Sequence, residues 1–192
     1  MKKTKALTPA FLALALGLGG CSVVNEVATP APQGEDYSTR TPGMKVEDEN
    51  IESKIHDAMA RTDARLTDAR VGVNSYNGVV LLFGQVPSQE LKDKAESIAH
   101  DTRQVRKVYN ELAVAANLPL GQRLKDDWLE TRAQTEIAAN KGIDARHVEV
   151  IAENATLYLM GMVTRDEAQR IVNEVSDISG VQRIVKIFDY LN

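Results

Sequence analysis

The side chains that most often carry out catalysis are few and widely spaced in this sequence. The three histidines are His56, His100 and His147, and no two of them have the local spacing of metal ligands. Carboxylate pairs occur at Asp126-Asp127 and Asp166-Glu167, but both are predicted at helix starts, where acidic side chains stabilise the helix dipole. Phosphate-binding glycine loops and the common hydrolase motifs are missing. We therefore predict a protein that is not an enzyme, with no metal site, cofactor or evident small-molecule substrate.

Cys21, the only cysteine, follows a short apolar segment near the N-terminus. Three lysines precede the segment and Gly19-Gly20 ends it, as is typical of a secretory signal peptide. The segment is shorter than the roughly 20 apolar residues that a transmembrane helix needs. Leu-Gly-Gly-Cys resembles the lipobox of bacterial lipoprotein precursors, which implies cleavage after residues 1–20 and lipidation of Cys21. The alternative is an ordinary signal peptide with a chance cysteine beside it.

Cleavage before Cys21 would leave an acidic chain. Residues 1–20 contain three lysines and no acidic residue, so the mature chain has 20 basic and 27 acidic residues. An acidic chain with few aromatic residues and no basic run is a poor candidate for binding nucleic acid. An anionic membrane would repel the chain as a whole, so any contact with lipid must be local. With Cys21 acylated, no thiol remains for a disulfide or a nucleophile.

The chain after Cys21 divides into a tether and a periodic region. Residues 21–47 have no helical or strand period and are rich in proline and glycine, which predicts a flexible tether. Apolar residues then recur every four positions, and they predict an amphipathic helix from Asn50 to about Arg61. Asn77-Gly78 lies between two β-rich segments and fits the positive φ angles of a type I′ hairpin turn.

A second helix and a last strand complete the first half of this region. Ser88 is the predicted N-cap of the helix, and the strand is predicted over residues 105–114. The same order then recurs, since a shift of 77 positions places Gly161 on Gly84. The predicted order of elements in each copy is helix–strand–strand–helix–strand. The predicted segments are a first domain at 48–114, a linker at 115–126 and a second domain at 127–192.

The second copy differs from the first at two local signals. Asn154-Ala155 replaces the Asn-Gly turn, and alanine is less tolerant of positive φ than glycine, which predicts a looser turn or another turn type. Thr164 and Glu167 have the spacing of a capping box and predict a clear helix start.

Two such copies behind a lipobox resemble the tandem BON-domain lipoproteins. The resemblance implies an α+β fold of two αββαβ domains, each a three-stranded mixed sheet packed on two helices. Ser22, rather than an aspartate, follows the cysteine. The resemblance therefore also implies attachment at the periplasmic face of the outer membrane. In lipoproteins of this kind the second domain is implicated in binding anionic phospholipid, and the protein supports envelope integrity at the division site. The matching residues are the hairpins at 76–86 and 153–163, with Val105 and Gly180-Val181 before the last strands.

Trp128, the only tryptophan, lies beside the predicted buried stripe of its helix. If Leu129, Ala133 and Ile137 face the core, Trp128 is about 100° away around the helix, a position typical of a polar–apolar boundary. With the upstream leucines 118, 120 and 124 it would enter the headgroup region of a membrane, next to basic residues that contact phosphate. The resemblance places lipid contact on this same helix. The predicted lipid-binding residues are Trp128, Leu124, Arg123, Lys125 and Arg132.

Two alternatives remain open at this helix. Trp128 would instead pack against the first copy and seal the interface between the copies. The acidic residues Asp126, Asp127 and Glu130 balance the three basic residues, so attraction to lipid charge is predicted to be weak. A protein-binding adaptor is the competing function, in which this surface or an edge strand of either sheet binds an envelope assembly or division protein.

Overall fold

The computed structural model of the chain describes residues 38–191. The predicted signal peptide, Cys21 and most of the predicted tether lie outside the described residues. Within 38–191 no helix combines the length and the apolar character needed to cross a membrane.

The first copy forms a mixed sheet with helices on one face. Its elements are α1 (Pro42–Thr62), α2 (Ala64–Asp68), β1 (Arg70–Tyr76), β2 (Val79–Val86), α3 (Gln89–His100), β3 (Lys107–Asn110) and β4 (Ala113–Val114). β1 pairs antiparallel with β2 through the Asn77-Gly78 turn, whose φ angles of 52° and 72° confirm the predicted type I′ hairpin. β2 pairs in parallel with β3 and with the short β4. Ser88 accepts a hydrogen bond from the Leu91 N–H and caps α3, as predicted.

The last strand of the first copy is not continuous, so the single strand predicted over 105–114 is wrong. The Asn110 side chain accepts a hydrogen bond from the Leu112 N–H at 3.3 Å. Leu112 itself is buried in the core of this copy. This local turn separates β3 from β4.

The second copy repeats the arrangement with a longer last strand. Its elements are α4 (Leu120–Ala139), β5 (Val148–Glu153), β6 (Thr156–Val163), α5 (Arg165–Ser176) and β7 (Arg183–Tyr190), with a 3₁₀ turn at Ala145–His147 before β5. β5 pairs antiparallel with β6, and β6 pairs in parallel with β7 over eight residues. Thr164 accepts from the Glu167 N–H, but the Glu167 carboxylate contacts His147, so only half of the predicted capping box forms.

The first helix of each copy begins before its predicted start. α1 begins at Pro42 because Thr41 accepts from the Met44 N–H and proline suits the first helical position. The last part of the predicted tether is therefore helical. α4 begins at Leu120, directly after Pro119, so more than half of the predicted linker at 115–126 is helical too.

Each sheet has one face covered by its own helices. The first helices contribute equivalent buried positions, since Ile51, Ile55 and Met59 in α1 match Leu129, Ala133 and Ile137 in α4. Together with the second helices α3 and α5 they form one apolar core in each copy. This confirms the predicted packing of a sheet on two helices.

The other faces of the two sheets pack against each other within one compact unit. The third apolar core lies between them and draws residues from both copies, so the order of layers is helix, sheet, sheet, helix. Gln85 donates to Glu153 at 2.5 Å, and the Tyr76 hydroxyl donates to the carbonyl of His147 at 3.0 Å. The residues of this shared core include Tyr76, Val79, Leu81, Ile151, Tyr158, Met160, Met162 and Ile187.

A glycine in the second strand of each hairpin allows the neighbouring backbone to approach closely. A Cβ at Gly84 would lie 2.0 Å from the carbonyl oxygen of Arg70, and one at Gly161 would lie 2.3 Å from that of His147. Neither contact is sterically possible, because real Cβ atoms do not come within 3.0 Å of such atoms. The repeated glycine is therefore a structural requirement of the hairpin.

Candidate functional site

α4 contributes the predicted lipid-binding residues, and a buried carboxylate fixes this helix to its own hairpin. Asp126 is only 3 % exposed, and its two oxygens accept the N–H groups of Asn154 and Ala155, both at 2.9 Å. The side chain of Gln122 donates to it as well, at 3.0 Å. Asp126 is therefore not a helix-start residue, as the sequence suggested, but the cap of the β5–β6 turn.

This cap explains why the predicted difference between the two turns is wrong. Asn154 and Ala155 have φ angles of 48° and 57°, so the second turn has the same left-handed conformation as the first. Alanine is strained there by about 1 kcal/mol or more. The two charge-assisted hydrogen bonds that the Asp126 carboxylate accepts are strong enough to offset that cost.

A second carboxylate on α4 caps the edge of the sheet. Glu130 accepts the N–H of Ala152 at 3.1 Å, and burial raises the pKa of this carboxyl group above its usual value. The first copy repeats both contacts. Asp48 caps the Asn77-Gly78 turn, and Glu52 accepts the N–H of Ser75. An Asp-x-x-x-Glu pair on the first helix is therefore part of each repeat, and the sequence analysis missed it.

The inward direction of these carboxylates changes the charge of the exposed face of α4. Asp126 and Glu130 were expected to balance the basic residues there, but both point toward the hairpin and are bonded to its N–H groups. Of the three acidic residues considered, Asp127 alone is exposed. The formal charges of the six residues still sum to zero, but the acidic charge that is exposed on this face is smaller than the sequence suggested.

The exposed face of α4 carries an apolar stripe. Leu120, Leu124 and Trp128 recur every four residues and are 60 %, 59 % and 56 % exposed. At about 100° per residue, Leu124 lies roughly opposite the core residue Ala133. Leu118, which was expected to join them, is half-buried and donates its N–H to Gln85 instead.

Trp128 does not seal the interface between the copies. That interface is formed by the two sheets, whereas Trp128 lies on the outer helix layer and belongs to none of the three apolar cores. The interface interpretation of this residue is therefore wrong. The structure leaves the indole ring largely open to its surroundings.

The three predicted basic residues beside this stripe differ in their exposure and in their ion pairs. Lys125 is exposed and makes no ion pair with any residue in 38–191. Arg132 is exposed and pairs with Glu136 one turn along the helix. Arg123 is half-buried, and its Nε has no hydrogen-bond partner among the described residues. All five predicted lipid-binding residues therefore lie on the first three turns or so of one helix.

The corresponding face of α1 lacks most of these features. At the 78-residue shift, Leu120, Leu124 and Trp128 correspond to Pro42, Val46 and Asn50. Val46 is the single large apolar residue of the three, at 57 % exposure. Lys125 corresponds to Glu47, so the charge is reversed at that position. The stripe and its cation are therefore specific to the second copy.

One protein-family model matches the chain twice, once over each copy. The BON domain model matches residues 47–116 and again residues 125–191. The chain belongs to the BON-domain family. Its two αββαβ copies are BON domains, and α1 and α4 are their first helices.

Several curated proteins are similar to the chain over most of its length. The outer membrane lipoprotein DolP of Haemophilus influenzae is 37 % identical over 175 residues, which are 91 % of this chain and 86 % of that protein. A 21 kDa hemolysin of Actinobacillus pleuropneumoniae is 29 % identical, over 79 % of this chain and 78 % of its own. The osmotically inducible protein Y of Escherichia coli is 25 % identical, over 97 % of this chain and 96 % of its own.

The first BON domain holds the segment that leads into α4. The side-chain oxygen of buried Gln85 accepts the N–H of Leu118 at 3.1 Å, while its amide donates to Glu153 in the second domain. The Ala115 N–H bonds to the carbonyl of Val86 at 3.0 Å. The start of α4 is therefore held against the first domain. Sequence reasoning gave no sign of this role for Gln85.

His147 belongs to the internal structure of the second BON domain. Its Nδ1 lies 2.9 Å from the Glu167 carboxylate, and its Nε2 lies 3.7 Å from that of Asp144. The other two histidines are exposed. In the part of the chain that the structure describes, no group of three or more potential ligands is arranged to hold a metal ion.

Proposed function

We propose that this protein is a non-enzymatic lipoprotein of the outer membrane that docks on phospholipid through α4 of its second BON domain. The lipobox-like sequence at Cys21 and the 37 % identity to a protein named outer membrane lipoprotein DolP support the anchored location. Anchorage at the periplasmic face and a role in envelope integrity, exercised at the division site, follow from the family resemblance and belong to the proposal.

The observation that carries the proposal is the exposed apolar stripe. Among the described residues six large apolar side chains are exposed, and three of them are Leu120, Leu124 and Trp128 on one face of α4. Full burial of a leucine side chain contributes about 1.5–3 kcal/mol, so each of these leucines can still gain about 1 kcal/mol in a membrane interface. A cluster of this kind on the outer layer is typical of an interaction site.

The charges beside the stripe favour an anionic surface. Lys125 makes no ion pair within residues 38–191, Arg123 flanks the stripe on the other side, and Asp127 is the nearest exposed acid on the same face. The local excess of positive charge contrasts with the acidic chain as a whole. Each basic side chain near an anionic surface contributes about 1 kcal/mol.

Docking and anchoring would serve different purposes. A single acyl chain holds a protein only marginally at a membrane, whereas several chains or a second contact hold it firmly. With Cys21 acylated, contact through α4 selects the membrane region in which the protein stays. The stripe then acts as a sensor of lipid composition.

Co-flotation with vesicles tests the proposal. Residues 22–192, produced without the lipid anchor, are mixed with vesicles of phosphatidylcholine alone or with phosphatidylglycerol. We expect binding to the anionic vesicles, and Leu124→Ala should weaken it about fivefold because about 1 kcal/mol of apolar burial is lost. Trp128→Ala should weaken it by more, since the indole buries a larger area.

Val46→Ala is the matched control. Val46 has the same repeat position and nearly the same exposure as Leu124, but it lies on α1. Its replacement should leave flotation unchanged, and thermal melting should show that every variant is folded. Absence of flotation with every vesicle, or equal effects of Val46→Ala and Leu124→Ala, would refute docking through α4.

One observation favours the competing function, a periplasmic adaptor for an envelope protein. On each of the β1 and β5 edges one backbone N–H is already bonded to a glutamate, Glu52 or Glu130, which makes these edges less suited to strand addition. β7 forms an uninterrupted eight-residue edge, and no such side-chain cap on it occurs among the described residues. Retention of a partner protein by this edge without vesicle binding would favour the adaptor.

A further inference from the structure

A groove beside Trp128 has the lining expected of an anion site. It has a volume of about 330 Å³ and lies between α4, the β5–β6 turn and the loop that joins α5 to β7. Lys125 is the one charged residue in its lining. The polar residues that line it with Lys125 are Gln122, Ser179 and Gln182.

Hydrogen-bond donors are available in this lining. Ser179 and Gly180 both line the groove, and the backbone N–H of each makes no hydrogen bond with a described residue. The ammonium group of Lys125 likewise has no described partner. Asp126 lies close by, but its oxygens accept three N–H groups and it does not line the groove.

The first BON domain contains the matched groove without these properties. That groove is smaller, at about 180 Å³, and both Glu47 and Asp48 line it. Glu47 occupies the position of Lys125, and Gln104 occupies the position of Gly180. Arg106 also lines the first groove, so its charged residues sum to −1, against +1 from Lys125 in the second groove. The second groove also lacks the side chain that fills space at Gln104.

The cavity on the other side of Trp128 has a mainly acidic lining. It is larger, at about 610 Å³, but Glu136, Glu174 and Asp177 line it. Its one cation, Arg132, is paired with Glu136. An anionic group is therefore favoured in the Lys125 groove and disfavoured in its neighbour.

From this contrast we infer that the Lys125 groove binds the phosphate of one phospholipid headgroup. The groove opens beside Trp128 and the apolar stripe, so a lipid whose phosphate contacts Lys125 has its acyl chains next to the residues that enter the membrane. Charge-assisted donors from Lys125 and from the Ser179-Gly180 backbone match phosphate oxygens. The inference rests on the proposed lipid docking and adds to it a stoichiometric site for a single molecule.

Titration with a soluble lipid tests the inference. ¹⁵N-labelled residues 22–192 are titrated with dihexanoylphosphatidylglycerol below its micelle concentration, and separately with glycerol 3-phosphate. We expect saturable one-to-one binding of the lipid, with the largest NMR shifts at Ser179, Gly180 and the Trp128 indole. Glycerol 3-phosphate should bind at the same residues at least tenfold more weakly, because it lacks acyl chains.

Charge variants identify the phosphate contact. Lys125→Glu should weaken lipid binding about tenfold or more, and Lys125→Arg should retain it. Lys45→Glu makes the same change of net charge on the first domain and should leave binding unchanged. Equal effects of Lys125→Glu and Lys45→Glu would overturn the inference, as would shifts confined to Leu120 and Leu124. Equal affinity for glycerol 3-phosphate would identify a soluble phosphate as the ligand instead of a lipid.

The two proposals fail in distinguishable ways. If Lys125→Glu still binds the soluble lipid normally while Leu124→Ala loses vesicle flotation, docking stands and the headgroup site is refuted. If the wild-type chain saturates with soluble lipid at Ser179 and Gly180 but floats with no vesicle, the headgroup site stands and membrane docking is refuted.

Discussion

Replacement of Asp126 by asparagine tests the most unexpected contact in the structure. The carboxylate of Asp126 is buried and accepts three N–H groups, from Asn154, Ala155 and Gln122. An asparagine of the same size presents one acceptor oxygen and one NH₂ group. The NH₂ group would face a backbone N–H that then has no partner.

The expected cost follows from these contacts. A hydrogen bond to a charged group contributes about 1.5–3 kcal/mol, and a buried donor left without a partner costs about 1–3 kcal/mol. Asp126→Asn removes at least one such bond, so we expect the free energy of unfolding to fall by about 3 kcal/mol. With a urea dependence of about 2 kcal/mol per molar, the unfolding midpoint should fall by about 1.5 M.

Equilibrium unfolding in urea measures this change. Asp127→Asn is the matched control, because it makes the same chemical change at the adjacent exposed position. In the Asp126→Asn background, Ala155→Gly should recover about 1 kcal/mol, since glycine adopts the left-handed conformation without strain. If Asp126→Asn and Asp127→Asn differ by less than about 0.5 kcal/mol, the carboxylate does not hold the turn and the reasoning is refuted.

Two further predictions concern acid stability and the hairpin glycine. Hydrogen bonds from Arg65 and Lys94 lower the pKa of Asp63 well below its ordinary value of 3.8, so this carboxylate stabilises the fold above about pH 4 and loses that effect as the pH falls further. Asp63→Asn keeps an N-cap for α2 and should lower the melting temperature more at pH 7 than at pH 2, because part of the stabilisation is already lost at pH 2. An equal loss at both would contradict the charge-based explanation. Gly161→Ala places a Cβ against the His147 carbonyl and should lower the free energy of unfolding in urea by about 2 kcal/mol or more. An unchanged unfolding midpoint would show that the two strands can move apart at this position.

Local signals in the sequence predicted the parts of the fold that depend on local contacts. The Asn77-Gly78 turn, the Ser88 cap and the four-residue spacing of Ile51, Ile55 and Met59 all have the predicted role. The start of α1 at Pro42 was missed although Thr41-Pro42 is a recognisable helix start, because proline was assigned to the tether.

Contacts between distant residues could not be predicted in this way. Asp126 resembles any acidic residue near a helix start until the hairpin, 28 residues later, is folded against it. That carboxylate caps the turn that contains Ala155, and together with Glu130 it determines how much acidic charge is exposed on α4. At the candidate site, the sequence predicted five lipid-binding residues on α4 but not the groove, since Ser179 and Gly180 come from a separate loop.

The face-to-face packing of the two sheets makes the chain equivalent to a homodimer joined by a peptide link. Either domain alone would expose an apolar sheet face that includes Leu81 in the first and Met160 in the second, and would tend to associate with another copy. The covalent link keeps the two halves at a high effective concentration, so the pairing no longer depends on the amount of protein in the cell. The exposed face of the outer helix can then diverge in one domain while the other domain keeps its role in the shared core. The equivalent positions Asn50 in α1 and Trp128 in α4 show such a difference.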